Sequence, residues 1–185
     1  MKELSLNILD IAGNSVKAGA TKVGITITET DETLSLVFKD NGCGMTKEQV
    51  ENVTDPFFTT RTTRNVGLGI PFLKLAAEQT GGSFSIESAT KEENPGNHGT
   101  TTTAFFYKNN IDFTPLGDVI STVTTLIMGS PGIDWVFTHT YGEKEARIDT
   151  SEIRAVLGED VPLDSYEVIE WIKSSLEEEY DSFYK

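Results

Sequence analysis

The chain has 185 residues, of which 37% are hydrophobic and 24% charged, proportions of a globular protein long enough for one domain and a smaller second unit. Its net charge of −14 divides into −3 over residues 1–110 and −11 over residues 111–185, an acidity that repels phosphate backbones and argues against a nucleic-acid partner. There is no run of 18 apolar residues, the opening MKELSLNILDIAGN has no signal-peptide pattern, and the single Cys43 cannot form an intrachain disulfide, so no membrane span is expected and the cytoplasm is the expected location.

Residues 3–18 have apolar positions at Leu6, Leu9, Ile11, Ala12 and Val16, with Gly19 close behind, which predicts a helix. Asp10, Asn14 and Lys17 then fall at i, i+4 and i+7 on one face. Val23–Thr28 and Leu34–Phe38 alternate apolar with polar residues around Thr30-Asp31-Glu32, a hairpin pattern that delivers the chain to Asp40 at a strand end. Asp40-Asn41-Gly42-Cys43-Gly44-Met45 follows. Thr46 and Gln49 then have capping-box spacing for a short helix.

After the loop DPFFTTRTTRN, residues 67–80 read as a helix that begins at Gly67-Leu68-Gly69 and stops at Gly81-Gly82. Residues 83–88 and 100–107 are strand-like and are joined by the polar loop KEENPGNHG. These elements predict an antiparallel sheet covered by helices, an α+β fold. Past residue 110 the composition changes, with a helix expected at 115–128, a hairpin at 134–140 and 145–149, and helices near 151–157 and 165–183. The expected division is therefore a domain over 1–110 and an acidic α/β extension over 111–185. In the last helix Tyr166, Ile169, Ile172, Leu176 and Tyr180 form a stripe expected to pack against its own domain.

The polar residues converge on nucleotide chemistry. A carboxylate at Asp40 can accept from an adenine amine, which guanine lacks at that position, while Gly42 and Gly44 let backbone lie against a flat ring. The amide oxygen of Asn14 suits Mg²⁺, Lys17 can neutralise phosphate, and Asp10 can orient a nucleophile or take its proton. Gly67 and Gly69, flanking Leu68 at a helix start, offer N–H groups to phosphate. Arg61 and Arg64 are candidate phosphate contacts, although loop arginines are more often solvated or paired with carboxylates. Phe57 and Phe58 divide between core anchor and ring contact. A polar helix face and an Asp-Asn-Gly turn also have bland readings as solvated surface and tight turn.

Taken in order, LDIAGNSVKAGA, DNGCGM, DPFFTTRTTRNVGLGI and GTTTTAFF resemble the four sequence boxes of the GHKL, or Bergerat-fold, ATPases, a superfamily that includes gyrase, MutL and histidine kinases. The resemblance covers residues 3–107 and implies a two-layer α/β sandwich binding ATP and Mg²⁺. It implies Asp40 for adenine, Asn14 for Mg²⁺, Asp10 as general base, Gly67 and Gly69 for phosphate, and Thr100 beside adenine through water. Met45, Phe58 and Leu68 complete the implied pocket. NSVKAGATKV is similar to the MutL branch, and the short lid with Lys17 to the kinases.

Asp10 stands where the family more often has Glu, which shortens its reach by one methylene. His98 and His139 read as structural or solvated, and no hairpin with a phosphoacceptor histidine is seen, so self-contained two-component signalling is not expected. The resemblance leaves two roles open. One is kinase-type phosphoryl transfer to a partner, or slow ATP hydrolysis. The other is a non-catalytic ATP/ADP sensor that docks a partner protein through its lid or C-terminal unit.

Overall fold

The computed structural model describes residues 3–55, 68–158 and 160–185. Twelve elements are formed among them. In chain order they are α1 (Leu4–Lys17), β1 (Lys22–Glu29), β2 (Thr33–Asp40), α2 (Lys47–Val53), α3 (Gly69–Gln79), β3 (Ser83–Ala89), β4 (Gly99–Tyr107), α4 (Val119–Gly129), β5 (Asp134–Tyr141), β6 (Lys144–Asp149), α5 (Thr150–Leu157) and α6 (Tyr166–Tyr180). The strands make one sheet in the order β3-β4-β2-β1-β5-β6.

Period-two patterning decides which sheet face is covered. Val23, Ile25 and Ile27 of β1, Leu34, Leu36 and Phe38 of β2, and Trp135 and Phe137 of β5 are all buried, whereas the residues between them are partly or fully exposed. The register aligns Ile27 with Leu36 on one side and His139 on the other, and Leu36 with Ala104 beyond. Helices α1, α3, α4 and α6 touch one another in the sequence α3-α1-α4-α6, with α3 on β3 and β4 and α6 on β6. The result is the expected two-layer α/β sandwich, and a single apolar core runs from Leu4 to Phe183. Each fully buried Leu or Ile contributes about 1.5–3 kcal/mol.

The antiparallel sheet expected from residues 1–110 is present as β3-β4-β2-β1. It does not end there, because β5 joins β1 in parallel, with Ile25 opposite Phe137. A parallel pair needs a crossover of a dozen residues or more, and hairpin signals cannot reveal it. The capping box at Thr46 and Gln49 is formed.

Helix α4 begins at Val119 rather than 115. Asp118 caps it by accepting from the Ser121 N–H at 2.9 Å. The carbonyls of Pro115 and Leu116 accept from the N–H groups of Leu4 and Ser5 at 2.9 and 2.8 Å. Residues 115–116 thus serve as the cap of α1, whose own flanking Glu3 makes no side-chain cap. On α6, Ile169, Ile172 and Leu176 are buried as expected, but Tyr166 is 74% exposed. It is the first residue of α6.

His139 is fully buried in a polar cluster that ties the C-terminal tail to the sheet. Glu29 Oε1 accepts from Lys108 Nζ at 2.7 Å, and Oε2 accepts from His139 Nε2 and the Tyr184 hydroxyl, both at 3.1 Å. Since the carboxylate can only accept, Nε2 carries a proton, and Nδ1 faces the Tyr180 hydroxyl at 2.7 Å. Burial alone would raise the Glu29 pKa, but the hydrogen bonds from His139 and Lys108 win and bring it down to about 2. Burial, followed by the charge of Glu29, pushes Tyr184 up to about 12.

Candidate functional site

The site is assembled where β2 ends and β4 begins, beside α1. The register pairs Asp40 with Thr100, so the carboxylate stands at the end of an interior strand with three protein donors around it. Ser15 Oγ donates to Oδ2 at 2.7 Å, and the N–H groups of Gly42 and Thr100 donate to Oδ1 at 2.9 and 3.3 Å. A carboxylate offers about four lone-pair sites. Three are in use, which leaves one for a ligand donor while the group is held in a single orientation.

The loop after Asp40 is fixed on both sides. Asn41 Oδ1 accepts from the N–H groups of Thr21 and Lys22, both at 2.9 Å, and Cys43 N–H donates to Ala18 O at 2.9 Å. Gly42 is buried, and its carbonyl accepts from His98 Nδ1 at 2.6 Å. Gly44 has φ of 71°, and a Cβ there would lie 1.9 Å from Ala89 O. Gly99 has φ of 125°, and its Cβ would lie 2.0 Å from Asp40 O. Both positions therefore need glycine for conformation and for space.

Ser88 closes the far wall. Its hydroxyl donates to Gly99 O at 2.9 Å, so it must accept from Met45 N–H and from the Thr100 hydroxyl, each at 2.8 Å. Thr100 Oγ1 then has its lone pairs available to a water or ligand. Cys43 is exposed.

On α1, Asp10 and Lys17 are exposed and Asn14 is half-buried. Among the described residues, none of these three side chains makes a protein hydrogen bond or ion pair. Exposed charges with no partner are common, but the half-buried Asn14 amide lies on the same helix as Ser15, the residue that holds Asp40. The start of α3 abuts this face: a Cβ on Gly69 would fall 2.7 Å from the Asp10 Cβ. Gly69 is buried, and Leu68 ahead of it is 48% exposed. The structure thus brings Asp10 against Gly69, sets Asp40 among Gly42 and Thr100, and joins Met45 to Thr100 through Ser88, while Asn14 and Lys17 follow Asp10 on α1 and Gly44 and Leu68 adjoin Met45 and Gly69 in the chain. Phe58, Arg61, Arg64 and Gly67 lie outside the described residues.

Sequence reasoning missed several supporting residues. Ser15 is adjacent to the recognised Asn14 but carries no pattern of its own. Ser88, His98 and Gly99 act through contacts across the sheet and loops. Asn7, 2% exposed, donates from Nδ2 to Gly69 O at 3.4 Å, while its Oδ1 is buried with no partner. This amide ties α1 to the start of α3 one turn before Asp10.

Residues 2–110 match the family of histidine kinase-, DNA gyrase B-, and HSP90-like ATPases. The match covers more than half of the chain, and the chain belongs to this family. It carries a GHKL-type ATPase domain. The sensor protein SrrB of Staphylococcus aureus is 31% identical over 93 residues, which cover 48% of this chain and 16% of SrrB. A sensor protein of Shewanella frigidimarina is also 31% identical, over 91 residues, covering 47% of this chain and 14% of that protein. The chain therefore spans only a small part of the length of these relatives.

Among solved structures, the MutL ATPase domain of Aquifex aeolicus complexed with ADP superposes with a TM-score of 0.54 at 16% identity, over 85% of this chain and 69% of that one. The N-terminal domain of a DNA repair protein gives 0.57 at 15% identity, over 79% and 51%. These likenesses establish the fold. Among the described residues no helix is long and apolar enough to cross a membrane.

Proposed function

We propose that this protein is a Mg²⁺-dependent ATP-binding protein that uses its pocket for kinase-type phosphoryl transfer to a partner protein, or for slow ATP hydrolysis. The observation that carries the reading is the orientation of Asp40, held by Ser15, Gly42 and Thr100 with one acceptor site left over. That site takes the adenine amine. A guanine would set a carbonyl against the carboxylate, so the pocket selects ATP over GTP.

The donor set fits the remaining ligand. Thr100 Oγ1 reaches the ring through water, Lys17 neutralises phosphate charge, and the N–H groups at the start of α3 receive phosphate oxygens. Asn14 would hold Mg²⁺, which takes few protein ligands when phosphates supply the rest and which offsets charge developing on the transferred group. Asp10 accepts the proton of the attacking hydroxyl or water. Residues 111–185 act as an accessory extension for a partner protein, in a cytoplasmic setting without nucleic acid.

One observation favours a second reading, a non-catalytic ATP/ADP sensor. Asp10 is one methylene shorter than Glu, and its Cβ is packed at the Gly69 position, which limits its advance toward phosphate. Calorimetric titration with ATP plus Mg²⁺, against GTP, followed by phosphate release on the same sample, separates the cases. Selective binding with release supports the enzyme, and Asp10→Asn is then expected to bind normally while losing turnover. Selective binding without release, even with candidate partners, supports the sensor. Equal binding of GTP, or none of ATP, overturns both.

A further inference from the structure

The described surface of the C-terminal region contains a groove of about 840 Å³ between α5, α6 and the end of β6. Its apolar lining comes from Ile153, Val156, Leu157, Val161, Val168 and Trp171. Val156 is 86% exposed, Trp171 56% and Val161 38%. Single exposed apolar residues need no explanation, but several large ones lining one concavity mark a binding surface. The groove is open for a geometric reason. The inner stripe of α6, Ile169, Ile172 and Leu176, is committed to the core, and Trp171 and Ser175, four residues apart, face the groove instead. Helix α5 stops after eight residues, about two turns, at Gly158, whose φ is 77°, so no third turn covers them.

We propose that this groove docks a basic amphipathic helix of a partner protein. The proposal extends the partner half of the functional reading and is independent of the nucleotide pocket. Charge selects the occupant. Residues 145–180 contain eleven Asp or Glu and three Lys or Arg, and the two arginines are already engaged. Arg147 gives a two-pronged pair to Glu152 at 2.9 and 2.8 Å, and Arg154 pairs with Asp134 and the carbonyls of Pro131 and Ile133.

Of these charges, Asp149, Glu152, Glu167 and Arg147 line the groove itself, with Arg147 also bonded to Asp149 at 3.4 Å, so the lining keeps a net charge of −2 within an acidic surround that attracts Lys- and Arg-flanked apolar anchors and repels nucleic acid, anionic lipid and a second acidic copy. A slot beside two helices suits a third helix presenting anchors at i, i+3, i+4 and i+7. Strand addition is disfavoured because the Arg147 N–H on edge strand β6 is taken by Glu179 Oε2 at 2.9 Å.

The test titrates the full chain, without nucleotide, with a synthetic Leu/Lys amphipathic helical peptide and a Leu/Glu peptide of the same pattern. Calorimetry and Trp171 emission report binding, since Trp135 is buried at 2% exposure. The expected result is saturable, salt-weakened binding of the Leu/Lys peptide, with about tenfold or greater loss in Val156→Asp and no change in melting. Val156→Asp adds a negative charge, so attraction by charge alone predicts tighter binding and the opposite sign. The proposal is overturned by tighter or unchanged binding to that variant, by equal binding of the Leu/Glu peptide, or by absence of saturation. Self-association of the wild-type chain that Val156→Asp abolishes would also overturn it, assigning the groove to a second copy.

Discussion

Asp40→Asn isolates the charge at the centre of the site while keeping its shape. In the wild-type chain Oδ1 accepts from two backbone N–H groups, of Gly42 and Thr100, and Oδ2 accepts from Ser15 Oγ. In the variant the amide oxygen keeps both backbone donors, and the new NH₂ faces Ser15, whose hydroxyl can turn from donor to acceptor. The internal cost is the weakening of bonds to a charged group, about 1 kcal/mol, which lowers the melting temperature by roughly 2–4 °C in a chain of this length.

The ligand side loses more. The adenine amine meets a donor where it had an acceptor, and a hydrogen bond to a charged group is worth about 1.5–3 kcal/mol, or roughly ten- to a hundredfold in ATP affinity. Calorimetric titration of both proteins at fixed Mg²⁺, with a melting curve on each, reads the two effects separately. An ATP affinity within about twofold of wild type, in a variant that melts normally, would refute the assignment of Asp40 to the base.

Gly99→Ala is expected to cost at least about 2 kcal/mol of stability and to weaken ATP binding, because its Cβ would meet Asp40 O at 2.0 Å from a φ of 125°. Gly96→Ala, whose Cβ meets nothing within 4 Å, is the control and should be neutral in chemical denaturation; equal behaviour of the two would refute the close approach. Glu29 has a folded pKa of about 2 against an ordinary 4.5, so its contribution is fully present above pH 4.5 and is lost as pH falls through 2. That difference corresponds to roughly 3 kcal/mol. Urea midpoints should fall more steeply with acid in the wild type than in Glu29→Gln, and parallel acid limbs would count against the cluster.

The candidate site was legible in the sequence wherever function needs residue types at fixed local spacing. Asp10, Asn14 and Lys17 share a face because helical periodicity puts them there, and Asp40 ends a strand because alternation runs up to it. Local grammar also gave the capping box at Thr46 and most element positions, since periodicity and stop signals act over a few residues. Ser15, Ser88 and Asn7 could not be read this way. Each is an ordinary polar residue whose role begins only when α1 lies against the end of β2, β3 is in register with β4, or α3 lies against α1.

The start of α4 and the sheet order have the same origin. Pro115 and Leu116 leave the helix because the free N–H groups of Leu4 and Ser5 in α1 need acceptors, a demand set 111 residues earlier in the chain. The strand β5 joins β1 because its alternating apolar face can be buried only beside that strand, over the same helices. The exposed Tyr166 and the open groove at Trp171 complete the pattern: the sequence alone determined which helix faces are apolar, and only tertiary packing decided which of those faces the core had room to cover.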